Sequence, residues 1–234
     1  MSYVFLFQST CRALLAAGIL AAGAVSATAE IVKPSPIDIL FEKKHLSNVD
    51  AGTELVYRFE RTVSKPELLG APYTDDIKVE VKKVATNGTR DVVVKVFTGE
   101  RARDPQPIDE LTVNPILVVY LDRSIASYMS VAGGKQPYLK DKFRTALRDR
   151  STVEPVKITL GGKTVEGQRV TVSPYAGDLN ASKMRGFENS RFSIVLSEAV
   201  PGQFVELVSS FENADKDAPT FEERTSLTGA EVLK

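Results

Sequence analysis

The segment IKVEVKKVATNGTRDVVVKVFT, residues 77–98, alternates apolar and polar side chains on both sides of Asn87-Gly88. A period of two is typical of a half-buried strand, and Asn-Gly favours a two-residue hairpin turn in which both residues have positive φ. Pairing across such a turn sets Val81 opposite Val94, apolar against apolar. The segment therefore predicts an antiparallel hairpin with one face in the core.

The rest of the chain repeats this strand pattern, with one helical interruption. Strands are predicted over 55–60, 156–172, 192–211 and 221–233, and helices over 115–132 and 137–150. Seven or more strands joined by tight turns, together with one helical pair, predict an α+β fold. We expect one large curved antiparallel sheet, an open half-barrel, with the central helical hairpin covering its apolar face.

Two details of the predicted sheet depend on its turns. Val165 and Val170 have opposite parities along their strand, which indicates a bulge at Gly167. Pro201-Gly202 prefers a type II turn, which suits a two-residue hairpin poorly. A longer loop is therefore an open alternative at that hairpin.

The N-terminus has the three-part pattern of a secretory signal peptide. Arg12 precedes an uncharged apolar run over 13–25, and small residues follow up to Ala29. The run is shorter than the roughly 20 residues of a membrane-spanning helix. We expect cleavage after Ala29, which divides the chain into a signal peptide at 1–29 and a single α+β domain at 30–234, located in the periplasm. An uncleaved anchor is the alternative.

The composition excludes several classes of function. The 234 residues include 30 Lys and Arg and 30 Asp and Glu, a balance that argues against nucleic-acid binding through bulk charge. The single cysteine, Cys11, precedes the apolar run, so the cleaved chain has no thiol nucleophile and no thiolate metal site. We expect no integral membrane segment after cleavage.

The polar residues that most often perform catalysis are sparse. His45 is the only histidine, which excludes a zinc site built on paired histidines, and we interpret it as a solvated residue at a helix end. Asp75 and Asp76 are adjacent at the solvated start of a predicted strand, so they point to opposite faces and do not form a catalytic pair. The sequence predicts neither an enzyme nor a bound metal or cofactor.

The order of these features resembles a known class of exported bacterial proteins. A signal peptide, meandering antiparallel strands, a central helical insertion and the late turn Val200-Pro201-Gly202 are similar to the half-barrels of periplasmic lipoprotein carriers. The segments 184–192 and 225–229 also resemble an uncharacterised exported bacterial family. The likeness to the carriers implies a concave apolar face, shielded by helices, that holds an acyl chain. No functional residue of the carriers can be placed on this sequence.

The candidate binding residues are aromatic and aliphatic side chains of one sheet face, together with a basic cluster. The apolar candidates are Tyr57, Phe59, Phe192, Leu207 and Phe211. Arg185 and Arg191, flanked by aromatic residues, are candidates for binding a carboxylate or phosphate head group. The alternatives are that the apolar side chains only fill the core, and that the arginines only protect a strand edge from pairing.

These observations lead to a functional hypothesis with two forms. The first is a non-enzymatic periplasmic protein that binds a lipid-like apolar ligand, or a partner chain, on its curved sheet. The second is an envelope structural or assembly factor that binds another protein through a sheet edge. A hydrolase that relies on Asp and Glu alone is a third alternative, which a screen of ester, glycoside and peptide substrates tests.

Overall fold

The computed structural model describes residues 35–233, and its main element is one ten-stranded antiparallel sheet. The strands are β1 (Glu54–Val63), β2 (Tyr73–Val84), β3 (Arg90–Val96), β4 (Gln106–Leu111), β5 (Thr152–Leu160), β6 (Lys163–Val172), β7 (Arg191–Leu196), β8 (Phe204–Phe211), β9 (Phe221–Leu227) and β10 (Ala230–Val232). The helices are α1 (Pro66–Leu69), α2 (Ile116–Ala132) and α3 (Gln136–Asp149), with a π-helical turn at Asp38–Glu42 and 3₁₀ turns at Gly99–Arg101 and Ala181–Lys183. The predicted signal peptide lies outside the described residues.

The strand order is β10-β5-β6-β7-β8-β9-β1-β2-β3-β4. The sheet is strongly curved, since β10 contacts β8 and β9 although it pairs with β5 at the edge. At the other end β4 has only β3 as a neighbour, so the sheet stays open there. The predicted α+β fold, a curved open half-barrel with a helical hairpin, is confirmed.

The first hairpin forms with the predicted faces and a different register. Val94 pairs with Val79, whereas the predicted two-residue turn pairs Val94 with Val81, so the register differs by two residues. The loop is longer than a two-residue turn, because Ala85 donates its N–H to the Thr89 carbonyl and Gly88 donates to the Ala85 carbonyl, each at 2.9 Å. A three-residue loop of this kind needs positive φ only at its glycine, and Gly88 has φ of +84°. Up to Val81 the shift is two residues, which keeps those side chains on their predicted faces; an irregularity between Val81 and Lys83 then changes the pairing by one residue.

The two turn-dependent details have opposite outcomes. β5 and β6 pair without any shift through Gly167, so the predicted bulge is wrong. A Cβ on Gly167 would collide with Ile158 and lie 2.9 Å from the Leu196 carbonyl oxygen, so this glycine permits close packing. The longer loop at the third hairpin is confirmed, since Ser197 donates to the carbonyl of Gln203.

A buried polar contact ties the start of α2 to the sheet. The Asn114 side-chain oxygen accepts the Ile116 N–H at 3.1 Å, which caps the helix. Its Nδ2 donates to the Tyr57 hydroxyl at 2.8 Å and to the Gly202 carbonyl at 2.9 Å. Asn114 is fully buried, and these bonds satisfy its amide. The turn before β8 and the start of α2 are therefore held against β1.

The helical hairpin covers the part of the concave face formed by β6–β9. Phe143 of α3 packs edge-on against Phe192 of β7, with ring centroids 4.8 Å apart. In α2, the Tyr120 hydroxyl donates to the Val208 carbonyl of β8 at 2.7 Å. Both contacts place apolar helix faces on the sheet, the packing that the sequence periodicity predicts.

Candidate functional site

The five apolar candidate residues lie on the concave face as core side chains. Tyr57, Phe59, Phe192, Leu207 and Phe211 are each at most 1% exposed. Phe192 and Phe211 contact each other edge-on, with ring centroids 5.8 Å apart. In this packing they fill the space beneath the helices instead of lining an open groove, as the core-filling alternative expects. A ligand would reach them only if the core opened.

The two arginine candidates lie on the surface and are not brought together with those five side chains in a binding site. Arg191, at the start of β7, pairs at 3.0 Å with Glu212, which directly follows β8, and both side chains are more than half exposed. Arg185 is exposed and contacts the Val131 carbonyl at 3.5 Å. Neither arginine lines the open groove between α2 and the strands β3 and β4 that is described below. Their role in head-group binding stays a prediction.

The interpretation of His45 as a solvated residue is wrong. Its side chain is fully buried, and its ring lies 4.6 Å from that of Phe204. Nε2 donates to the Ile39 carbonyl at 2.9 Å, and Nδ1 has no partner within residues 35–233. Burial lowers the pKa of His45 below its usual value, and the positive charge of Lys43 adds to that effect. The imidazole is a core side chain of the segment that precedes β1.

Asp75 is also buried, contrary to its interpretation as part of a solvated strand start. Its Oδ1 accepts the Thr98 N–H at 2.9 Å, the Thr98 hydroxyl at 2.8 Å and the Asp76 N–H at 2.9 Å. These bonds fix the chain as it leaves β3. Within residues 35–233, no group of three or more His, Cys, Asp or Glu side chains is placed to hold a metal ion.

An open groove of about 570 Å³ lies between α2 and the strands β3 and β4. We call it the α2–β4 groove. Its apolar lining is Val94, Val96, Ile108, Pro115, Val118, Val119 and Ala126, and its polar lining is Arg103, Asp104, Gln106, Asp122, Arg123, Ser127 and Ser130. Small-molecule sites usually have volumes of about 300–1,000 Å³ and mainly apolar walls. Ile108 and Val118, on opposite walls, are 36% and 54% exposed, unusually open positions for large aliphatic side chains.

The groove exists because α2 leans toward β8. Tyr120 and Ser124 contact that strand, and the Ser124 hydroxyl lies 2.6 Å from the Ser209 hydroxyl. The next flank of the helix, which is formed by every fourth residue, has no strand against it. Its members are Val118, Asp122, Ala126 and Ser130, all exposed. The outer strand β4 is exposed from Gln106 to Glu110, so the space between helix and edge stays unfilled.

A buried carboxylate accepts hydrogen bonds from several side chains near the polar end of the groove. Glu223 of β9 accepts hydrogen bonds from Arg61 at 2.6 Å and from Arg123 at 2.9 Å on the same oxygen, Oε1. Its Oε2 accepts from the Ser127 hydroxyl at 2.9 Å. Two arginines therefore share one carboxylate, which leaves this cluster with a net positive charge.

Arg123 is held in place by its surroundings. Its guanidinium carbon lies 4.3 Å from the ring centroid of Phe59 and 5.0 Å from that of Phe97. Nη2 donates to the Tyr73 hydroxyl at 2.7 Å in addition to Glu223. Stacking of arginine on aromatic faces and several hydrogen bonds restrict its rotamers. The result is a fixed cation in the wall of the α2–β4 groove.

The groove changes from apolar to polar along α2. Leu111, the last residue of β4, pairs with Arg90 at the start of β3, so α2 begins at that end of the sheet. Arg123 contacts Phe97, which directly follows β3. The helix therefore runs along β3, with Val118 in the apolar half of the groove and Arg123 in the polar half.

The groove residues are not among the candidate binding residues predicted from the sequence. Arg123 is the one detectable signal, since it is a basic residue between apolar positions of a mainly apolar helix. Val118 has no such signal, because an apolar residue in an amphipathic helix is normally assigned to the core. Its exposure follows from the position of α2, which no local pattern reports.

No family model matches this chain, and neither does any curated protein. Among solved structures, the crystal structure of the Mycobacterium tuberculosis lipoprotein LppX is similar, at 10% sequence identity and a TM-score of 0.32. The match covers 76% of this chain and 86% of that one. A likeness of this size supports neither a site nor a function. In residues 35–233, no helix has the length and apolar character needed to cross a membrane.

Proposed function

We propose that this protein is a non-enzymatic binding protein that holds a lipid-like apolar ligand in the α2–β4 groove. The observation that supports this most is the pair of exposed aliphatic side chains, Ile108 and Val118, on opposite walls of a groove of about 570 Å³. Exposed apolar surface in a concavity is typical of a ligand site. The proposed location is the periplasm, in keeping with the predicted signal peptide.

The proposed site differs from the one expected from the sequence. The aromatic side chains of the covered core are packed against each other, and opening them would cost several kcal/mol of packing. The α2–β4 groove needs no such opening. Burial of an alkyl chain contributes about 0.8 kcal/mol per methylene, so about ten methylenes contribute roughly 8 kcal/mol before the entropy of association is subtracted.

A second candidate function uses β4 as a docking edge for a partner chain. β4 is at the end of the sheet and is exposed over Gln106–Glu110, so its outer backbone groups are open to pairing. Two features weaken this edge: Pro107 has no N–H to donate, and Glu110 has φ of +57°, which interrupts an extended ladder. Edge pairing is therefore the secondary proposal.

The test uses N-phenylnaphthylamine, a neutral fluorescent probe of apolar sites. We expect saturable binding by the wild-type protein, and at least about a tenfold loss of affinity when Ile108→Glu and Val118→Glu are combined, because a charge must then be desolvated in the groove. Val84 and Leu68 are the matched controls, since they are exposed by 39% and 64%, on a strand and a helix, and do not line the groove.

The control combination, Val84→Glu with Leu68→Glu, should bind the probe as the wild type does. Absence of saturable binding in the wild type, or equal loss in both double variants, would contradict the groove as the binding site. In that case, crosslinking of partners to β4 tests the edge proposal.

A further inference from the structure

We infer that the α2–β4 groove takes a single-chain amphiphile whose anionic head group, a carboxylate or a phosphate monoester, binds Arg123 and Arg103. This inference rests on the proposed function and adds the chemical class of the ligand.

Arg123 has hydrogen-bonding capacity that its protein partners do not use. Both of its bonds, to Tyr73 and Glu223, leave from Nη2, while within residues 35–233 Nη1 makes no hydrogen bond and Nε is buried without a partner. A guanidinium has five N–H donors in a planar fork that matches carboxylate and phosphate oxygens. Because its contacts with Phe59 and Phe97 already fix the side chain, binding an anion costs little additional conformational entropy.

The charges at this end of the groove favour an anion. Arg61 and Arg123 share the single carboxylate of Glu223. Arg103 is exposed and lines the same groove.

Two acidic side chains line the groove itself, and they differ in how they affect an anion. Asp122 pairs with Lys140 at 2.7 Å, so its charge is balanced. Asp104, next to Arg103 in the chain, is the lining carboxylate that opposes an anion. Around the polar end, three arginines therefore face two carboxylates, in a partly buried place where Coulomb interactions are stronger than in water.

The groove also has room for a tail that starts at Arg123. From Arg123 back to Pro115, α2 advances about 12 Å at 1.5 Å per residue. Val118 and Val119 lie on that stretch, and Ile108 lies on the facing strand. A head group at Arg123 thus directs an alkyl chain of medium length into the apolar half of the groove.

Calorimetric titration with three ten-carbon ligands tests this inference on the whole protein. The ligands are decanoate, decyl phosphate and neutral decanol, at pH 8 and low salt. We expect both anions to bind at least about tenfold more tightly than decanol, since a charged hydrogen bond in a partly buried site has about that effect. The tighter of the two anions identifies the head group as a carboxylate or a phosphate.

The other outcomes separate the two proposals. Equal affinity for all three ligands would overturn the head-group inference and leave the apolar groove in place. Binding of none of them, together with no binding of N-phenylnaphthylamine, would overturn the proposed function itself.

Arginine variants locate the head group. We expect Arg123→Gln and Arg103→Gln each to weaken decanoate binding about tenfold and to leave decanol binding unchanged. Arg103 is exposed, so its variant keeps the test valid if Arg123→Gln does not fold. Arg148→Gln, an exposed position of α3 outside the groove, is the control and should bind decanoate normally. An equal loss in this control, or no loss in the Arg103 variant and any folded Arg123 variant, would contradict the inference.

Discussion

The two halves of the concave face have similar strands and different surfaces. Over β6–β9, α2 and α3 press aromatic rings together, and Tyr128 and Tyr175 lie 4.1 Å apart with their rings fully buried. Over β3 and β4, the helix stands away from the sheet, and Ile108 and Val118 remain exposed. We call these the covered half and the open half.

This difference shows that a strand's own pattern does not decide whether its apolar face is a core or a binding surface. Val94 and Val96 in β3, with Lys95 between them, alternate as regularly as Phe192 and Ile194 in β7. The position of α2, tied to β8 through Tyr120, decides which half receives the helical cover. A ligand site in this fold is therefore expected where the cover is incomplete.

The largest expected effect comes from comparing one residue type in both halves. Ile194→Ala removes a side chain that is 1% exposed in the covered half, and we expect a loss of about 2–5 kcal/mol in the free energy of unfolding. Ile108→Ala, in the open half, should cost less than about 1 kcal/mol. Urea denaturation measures both values. Similar losses would show that the open half is packed in solution.

The next comparison concerns the contact that holds the start of α2. Gly202 has φ of +70°, and a Cβ there would lie 2.5 Å from Leu55 and 2.7 Å from Asn114. Gly229 has φ of +88° with nothing within 4 Å, so it shares the backbone strain without the steric conflict.

We expect Gly229→Ala to cost about 1 kcal/mol and Gly202→Ala about 1–3 kcal/mol more, because overpacking adds to strain. Thermal unfolding followed by circular dichroism measures the difference. Equal shifts of Tm would mean that the contact between Gly202 and Asn114 does not hold α2 in place.

The smallest expected effect is a pH dependence of the free energy of unfolding, which comes from one buried histidine next to the covered half. His45 packs on Phe204 of β8, and burial lowers its pKa below the ordinary 6.5. The unfolded chain therefore binds the proton more readily, and stability falls as the pH drops below about 6.5, by at most about 1.4 kcal/mol per pH unit. Urea midpoints from pH 7.5 to 5.5 should show this decline, and His45→Phe should flatten it. A decline of the same size in the variant would assign it to other groups.

Most of the strands and both long helices could be predicted from the sequence, because alternation and helical spacing are local properties. The register of the first hairpin and the length of the loop in the third could not, since neither is fixed by alternation alone. The first turn extends from Ala85 to Thr89, and the loop between β7 and β8 is stabilised by the distant side chain of Asn114. In the first hairpin the faces up to Val81 were still predicted correctly, as an even shift preserves them.

The candidate site was harder to predict because exposure is a tertiary property. Phe192 and Val118 are both apolar residues at core-like positions, and only the placement of α2 separates the buried one from the exposed one. His45 and Asp75 look solvated in sequence, and they are buried because the chain supplies partners from Ile39 and Thr98. None of these pairings leaves a local pattern.

The most direct test of the account is a methyl NMR titration of the protein with decanoate. We predict saturable shifts for methyl groups of the open half, while those of the covered half stay unchanged. The methyl groups expected to shift are those of Val94, Val96, Ile108 and Val118, and the reporters of the covered half are Ile194 and Leu207. Shifts at Ile194 and Leu207, with none at Ile108 and Val118, would contradict the claim that the ligand occupies the incompletely covered half of the sheet.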